Sequence, residues 1–267
     1  MDRSPIAFDG SIPENYDRYL ASFLFEPFAA DLAGRIEVQA GSHLLELACG
    51  TGILTRRLAN HLPTSAELIT TDINEDMLAF AQEKITAPNI LWDTVDMTAI
   101  PYADDLFDIV FCQFGLMFAS DKSRAFAEIH RVLRKDGVLL FNVWADKADN
   151  PVWRINNSLI RSLFPDIPLN PDLGPFSLAV ESISISLLHQ AGFADVRQDS
   201  VRIIGVCESA AIVANGFTFG TPLYNFIKSD PALLEKFRHT LEDTVSSELG
   251  ASPVQSPLRA WVFSAVK

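Results

Sequence analysis

Residues 44–55 read LLELACGTGILT, an apolar run carrying a carboxylate that leads through a glycine-rich turn into a helix start. Gly50 and Gly52 let the chain turn sharply and let a ligand approach the backbone with no side chain in the way. The helix that follows points unsatisfied amides back at the turn, which suits a carboxyl or phosphate group. Glu46 argues against phosphate, because a pyrophosphate would meet a like charge close by, and favours a ligand with an ammonium or sulfonium group. The ligand is expected to carry both signs.

Outward from this stretch, short apolar runs alternate with helical periodicity, the mark of βαβ units and a mostly parallel sheet. Strands are expected near 43–48, 67–71, 90–95, 108–114, 137–144, 194–206 and 259–266, with helices over 53–61, 75–85, 122–133 and 180–191. Parallel strands are buried on both faces, so FDIVFCQF and GVLLFNVW can be continuously apolar without implying a membrane. The fold class is therefore α/β: a Rossmann-like, seven-stranded, mostly parallel sheet whose last strand is antiparallel, with helices on both faces. One domain over 1–267 is expected, with an N-terminal helical cap (1–37), a core (38–144) and helical insertions (145–179 and 208–258) that roof the site. Insertions of that length in compact domains are usually functional or disordered; padding of the fold is the alternative.

With 267 residues and 48% hydrophobic content, the chain can bury a large core. A formal net charge of −13 and the lack of a basic block disfavour a nucleic-acid partner, which would need Lys and Arg to neutralise phosphates. Cys49, Cys112 and Cys207 are far apart and odd in number, which fits neither a disulfide framework nor a metal site. The N-terminal MDRSPIAFDG has no apolar signal core and no run long enough to span a bilayer occurs. These features lead to the expectation of a soluble, cytoplasmic protein; a monomer or homodimer is expected.

Glu46, Gly50 and Gly52 match the E/D-x-x-x-G-x-G motif of class I S-adenosylmethionine-dependent methyltransferases, and the stretch resembles their small-molecule branch, the ubiquinone/menaquinone methyltransferase-like enzymes. S-adenosyl-L-methionine has the α-carboxylate, α-ammonium and sulfonium that the turn asks for. A dinucleotide fingerprint would place a third glycine where this chain has Thr55. The resemblance covers 43 to about 145 and implies methyl transfer, with S-adenosyl-L-homocysteine as product.

It also implies roles for particular residues. Glu46, Ala48, Gly50, Thr51 and Gly52 would form the turn around the methionine end. Asp72, closing the second strand, can accept from both ribose hydroxyls; capping the next helix is the other reading, open to Asp72 or Asn74. Ile73 and Met77 occupy positions that pack on adenine, and equally suit a core. Asp96 and Met97 follow the third strand, where a carboxylate and a backbone amide complement the adenine edge. The run IPYADDLFDIVFCQFGLMF, with Pro101, Phe107 and Asp108, resembles the family's approach to its fourth strand, ending at Gln113 and Phe114 between cofactor and acceptor. Tyr16, in PENYDRYL, resembles a tyrosine that covers the methionine end. At the turn before strand five, Asp136-Gly137 replaces the family's more usual pair of glycines.

The acceptor side is read from aromatic residues in the insertions: Trp153, Phe176, Phe217 and Tyr224, together with Phe114, suggest an apolar or aromatic substrate. Packing of the insertions onto the sheet is the alternative. Of five histidines only His239 is a weak candidate base, and no nucleophile triad or metal-ligand spacing stands out. Two rivals stay open: a relative that keeps the cofactor but catalyses a sulfonium-assisted rearrangement or cyclisation, and a non-catalytic S-adenosylmethionine-binding regulatory module. The methylated atom, oxygen, nitrogen, sulfur or carbon, is left open.

Overall fold

The computed structural model describes residues 7–167 and 174–267; the first six residues and six residues of the first expected insertion lie outside the described set. Contacts divide the chain into two compact units: one of 1–28, 147–169 and 202–258, the other of 29–146, 170–201 and 259–267. The expectation of one domain therefore stays a proposal, and the first insertion is shared between the units.

The second unit is built on a seven-stranded sheet: β1 (His43–Glu46), β2 (Glu67–Asp72), β3 (Ile90–Thr94), β4 (Phe107–Gln113), β5 (Leu133–Trp144), β6 (Ala194–Cys207) and β7 (Val254–Val266), in the order β3-β2-β1-β4-β5-β7-β6. β1 pairs in parallel with β2 and β4, β2 with β3, and β4 with β5, while β7 is antiparallel to β5. The chain winds outward from β1 in both directions, so the switch point falls between β1 and β4, and open α/β sheets bind ligands at the carboxyl ends there.

The sequence dictates these elements locally. Of the helices α1 (Ile12–Leu20), α2 (Glu26–Ala33), α3 (Ile53–Ala59), α4 (Glu75–Lys84) and α5 (Lys122–Val132), α4 is capped by Asn74, whose Oδ1 accepts from Met77 N at 2.9 Å, and α5 by Asp121, which accepts from Arg124 N. Ile109–Cys112 of β4 and Leu139–Trp144 of β5 are buried on both faces, and Phe141 stacks on Phe263 of β7 with ring centroids 4.9 Å apart. Asp108, part of the sequence motif, is structural: Oδ2 accepts from His43 N at 2.7 Å and Arg134 pairs with Oδ1. Asp136 takes the left-handed conformation at φ +63° where a glycine is more usual, and a Cβ on Gly137 would lie 2.8 Å from Arg134 O. Asp tolerates that conformation better than most residues, so the departure is absorbed.

The first unit is helical, containing α1, α6 (Pro151–Leu163), α8 (Ala210–Phe219), α9 (Leu223–Ile227) and α10 (Pro231–Leu249); α7 (Glu181–Ala191) belongs to the sheet unit. Asp230 caps α10, accepting from Leu233 N at 3.0 Å, and this helix falls within the second expected insertion. Between α1 and α2 the chain takes a π-helical turn, Ala21–Phe25. α8 approaches α1 closely through two glycines one turn apart: a Cβ on Gly216 would lie 2.8 Å from Leu20 Cγ, and one on Gly220 2.8 Å from Tyr16 N.

At Gly220 the obstacle is backbone, whereas at Gly216 it is a flexible side chain and alanine would add about 1 kcal/mol of helix propensity. Gly220→Ala is expected to cost about 1–3 kcal/mol and clearly more than Gly216→Ala, read as the shift in urea midpoint.

Candidate functional site

The glycine turn is held from both sides. Leu47 N donates to Phe111 O of β4 and Cys49 N to Thr71 O of β2, each at 2.9 Å, so the turn continues the sheet's hydrogen bonding beyond β1. Ala48, Gly50 and Gly52 all have positive φ, at 54°, 56° and 77°. Gly52 is required twice over, because a Cβ there would sit 2.6 Å from Ile85 Cδ1 as well as in a strained backbone. A Cβ on Gly50 would meet nothing within 4 Å, so that backbone faces open space.

Asp72 ties the turn to the second βα connection. Its Oδ2 accepts from Gly50 N and its Oδ1 from Asn74 N, both at 2.8 Å, while Asn74 caps α4. The two readings of this segment are thus divided: Asn74 caps, and Asp72 is held in place at the end of β2. The backbone amide of Ile73 is a further donor to the same carboxylate.

Glu46 is 1% exposed and lies beneath the turn rather than on its surface. Its Oε2 accepts from Thr55 Oγ1 at 2.7 Å and from Thr70 Oγ1 at 3.4 Å. Burial pushes its pKa up to about 7 against the pull of the two hydroxyls, and the nearby charge of Asp72 adds to the rise. Burial also raises the Asp72 pKa, opposed by the backbone amides it accepts from. Among the described residues no ion pair reaches either carboxylate. Cys49 is raised well above its ordinary range and Cys112 to about 12, burial being the main cause in both, so neither thiol supplies charge. Thr51 Oγ1, also buried in the turn, has no hydrogen-bond partner among the described residues.

The remaining sheet-side residues follow the carboxyl ends of β2, β3 and β4. Ile73 is 65% exposed, which removes the core reading for it, while Met77 is buried in α4. Asp96 is exposed; its Oδ1 accepts from Thr98 N and Thr98 Oγ1, leaving Oδ2 to the outside, and Met97 is half-buried. Gln113 is half-buried at the end of β4, and Phe114 follows at φ +52°, its ring stacked on Trp144 at 4.2 Å. Asn142 holds that bend, Oδ1 accepting from Phe114 N at 3.0 Å. Sequence reasoning missed Asn142; its signal was the lone amide in GVLLFNVW.

Tyr16, Trp153, Phe217, Tyr224 and His239 lie in the helical unit and Phe176 in the sheet unit. Tyr16 stacks on Phe25 at 4.9 Å, and Tyr224 packs edge-on against Phe219. Phe217 is fully buried and Trp153 meets it edge-on at 5.0 Å, so these two rings join α6 to α8, the packing alternative of the sequence reading. Phe176 is half-buried, its carbonyl accepting from Ala179 N. His239 lies on the exposed face of α10, 3.3 Å from Glu235 and beside Arg238, because Leu234, Phe237 and Leu241 take the buried face. The weak candidate base thus occupies a solvated helix position, paired within its own helix. Among the described residues no group of three or more His, Cys, Asp or Glu is placed to hold a metal, and no helix is long and apolar enough to cross a membrane.

Residues 45–141 match the family model described as a methyltransferase domain. The matched stretch and the sheet order together place residues 45–141 on a Rossmann-like fold of the kind that class I methyltransferases share. Within that class the similar proteins are of the quinone-methyltransferase type. A demethylmenaquinone methyltransferase of Lactobacillus johnsonii is 35% identical over 136 residues, 49% of this chain and 55% of that protein. The ubiquinone/menaquinone biosynthesis C-methyltransferase UbiE of Cronobacter sakazakii is 27% identical over 187 residues, 65% of this chain and 73% of that protein. The first of these alignments thus spans about half of the relative's length. The crystal structure of the YcgJ protein of Bacillus subtilis shares the fold, with a TM-score of 0.60 and 20% identity over 90% of this chain and 98% of that one.

The raised pKa of Glu46 has a sign that can be checked. The folded protein holds the proton more tightly than the unfolded chain, so this carboxyl favours folding at low pH and the benefit is lost as pH rises from about 4.5 to about 7. Without ligand, Glu46→Gln is expected to match wild type in stability near pH 5 and to exceed it at pH 8, by up to about 3 kcal/mol in denaturant titrations.

Proposed function

We propose that the protein is an S-adenosylmethionine-dependent methyltransferase that acts on an apolar or aromatic small molecule, with a quinone-type ring methylated at carbon as the best-supported acceptor. One observation carries the cofactor assignment: two buried carboxylates, Glu46 and Asp72, meet at a glycine turn with no cationic side chain paired to either among the described residues. A ligand that supplies positive charge complements them, and a pyrophosphate does not. The acceptor assignment follows the printed names of the relatives, a demethylmenaquinone methyltransferase and a C-methyltransferase.

The residues fit S-adenosylmethionine in detail. The open backbone at Gly50 and the hydroxyl of Thr51 would hold the amino-acid end, with the negative charge of Glu46 beneath. Asp72 would take the ribose hydroxyls, Ile73 would cover one face of adenine, and Asp96 Oδ2 with the Met97 amide would meet the ring edge. Gln113 and Phe114 would stand between this site and the acceptor. When bound, the cofactor supplies an electrophilic methyl group on a cationic sulfur.

Methyl transfer asks the protein mainly to align and desolvate. Near-attack positioning supplies roughly 7 to 11 kcal/mol, whereas a general base adds about 10²- to 10⁴-fold in rate. A site without a histidine base is therefore consistent with turnover, above all for an activated ring carbon. Aromatic faces such as Phe114 add about 0.5 to 2 kcal/mol each where they meet a cation.

Titration calorimetry with S-adenosylmethionine tests the reading. Wild type is expected to bind, with Asp72→Ala weakening binding at least about 100-fold through the lost ribose and turn contacts, and Gly52→Val abolishing it. Binding indifferent to both substitutions would refute the site. Incubation with demethylated quinone precursors should yield S-adenosylhomocysteine in step with methylated product; rearranged product without it would establish the sulfonium-assisted alternative instead.

A further inference from the structure

Thr55 stands where a dinucleotide-binding turn keeps its third glycine, and its side chain is wholly buried. Its hydroxyl is the shorter of two donors to Glu46, 2.7 Å against 3.4 Å from Thr70. It also lies directly below the turn, since a Cβ on Gly52 would sit 3.6 Å from Thr55 Oγ1. Both forms of Glu46 can accept the hydroxyl proton, but the charge-assisted bond to the carboxylate is roughly twice as strong as the one to the neutral acid, so the donor favours the charged form.

We propose that Thr55 is a positioning residue that acts through Glu46, holding its buried carboxylate charged beneath the glycine turn, so that uptake of a cationic ligand is coupled to release of a proton. This inference rests on the cofactor reading above and extends it: the site selects ligands by positive charge, and binding strength follows the protonation of Glu46. The groups facing Glu46 do not mask the effect. From β2 comes Asp72, another acid; from the turn Cys49 and from β4 Cys112, both thiols held neutral by burial; Thr55 and Thr70 do not titrate. Arg56 of α3 donates to Thr51 O at 3.0 Å, and from α4 the neighbours below Gly52 are the apolar Ala81 and Ile85. A carboxyl with a pKa of about 7 in this setting is poised to change charge on binding.

The test is affinity for S-adenosylmethionine from pH 5.5 to 7.5, by calorimetry in two buffers of different ionisation enthalpy. Wild type is expected to weaken by up to about tenfold per pH unit below a midpoint near 7 and to release up to about one proton on binding. Thr55→Val removes the donor while keeping the shape and should move the midpoint up by about one to two pH units. Thr55→Ser, which keeps the donor, should leave it in place. Glu46→Gln should flatten the profile, any residual slope belonging to Asp72, and serves if the valine variant fails to fold. A flat wild-type profile with binding intact, or the full wild-type slope in Glu46→Gln, would overturn the coupling and leave the cofactor assignment standing. Absence of binding at every pH would overturn both.

Discussion

The structure turns on two carboxylates placed side by side, under and beside a glycine turn, with no side-chain cation among the described residues paired to either. The β1–β2 register aligns Glu46 with Thr70, two residues short of Asp72, so parallel pairing alone brings both acids to the same end of the sheet. Burying like charges together is costly, by several kcal/mol for each ion left uncompensated. The chain offsets part of this with donors that carry no charge: two threonine hydroxyls for Glu46, and the amides of Gly50 and Asn74 for Asp72. What remains uncompensated would be met by the positive group of the proposed ligand, which is a more specific property than a cleft of suitable size.

Part of the backbone strain falls at the same end. Of the non-glycine residues with positive φ, Ala48 follows β1 and Phe114 follows β4, the two strands that flank the switch point. Each is held by neighbouring hydrogen bonds: the Ala48 bend by Leu47 N and Cys49 N, the Phe114 bend by the side chain of Asn142. Conformations of this kind persist only where the surroundings over-determine them. The sheet therefore supplies rigidity as well as topology, fixing at each strand end a backbone that would otherwise relax away from a ligand.

The sheet was legible in the sequence because parallel strands buried on both faces leave continuous apolar runs, and every strand was located to within a few residues apart from the early starts of β5 and β7. Glycine chemistry made the turn legible too, since Gly50 and Gly52 are the residues that positive φ demands. Other features were hidden for identifiable reasons. Whether Asp72 or Asn74 capped α4 depended on side-chain direction, which adjacent polar residues do not disclose. Glu46 read as a ligand-facing carboxylate, but alternation in a short strand cannot tell a residue at the surface of a turn from one beneath it. The aromatic residues of the insertions read equally as pocket or packing; in the structure Trp153 and Phe217 meet edge-on between α6 and α8. His239 fell on the exposed face of an amphipathic helix, a distinction that its neighbours Phe237 and Leu241 already contained.

Thr55 shows how one position can separate two ligand classes on a shared architecture. In a dinucleotide site the third glycine lets helix and strand approach closely, and the turn's amides are left to meet phosphate. Here a side chain fills that space, and its hydroxyl is spent inward on a carboxylate instead. Replacing it with glycine would free room for packing but would remove the shorter of two donors from a buried acid, driving that acid toward its neutral form and erasing the turn's preference for cations. Keeping the threonine without the acid would leave a buried hydroxyl with one acceptor fewer. The pair is therefore coherent only together, and it suits the positively charged ligand proposed for the turn.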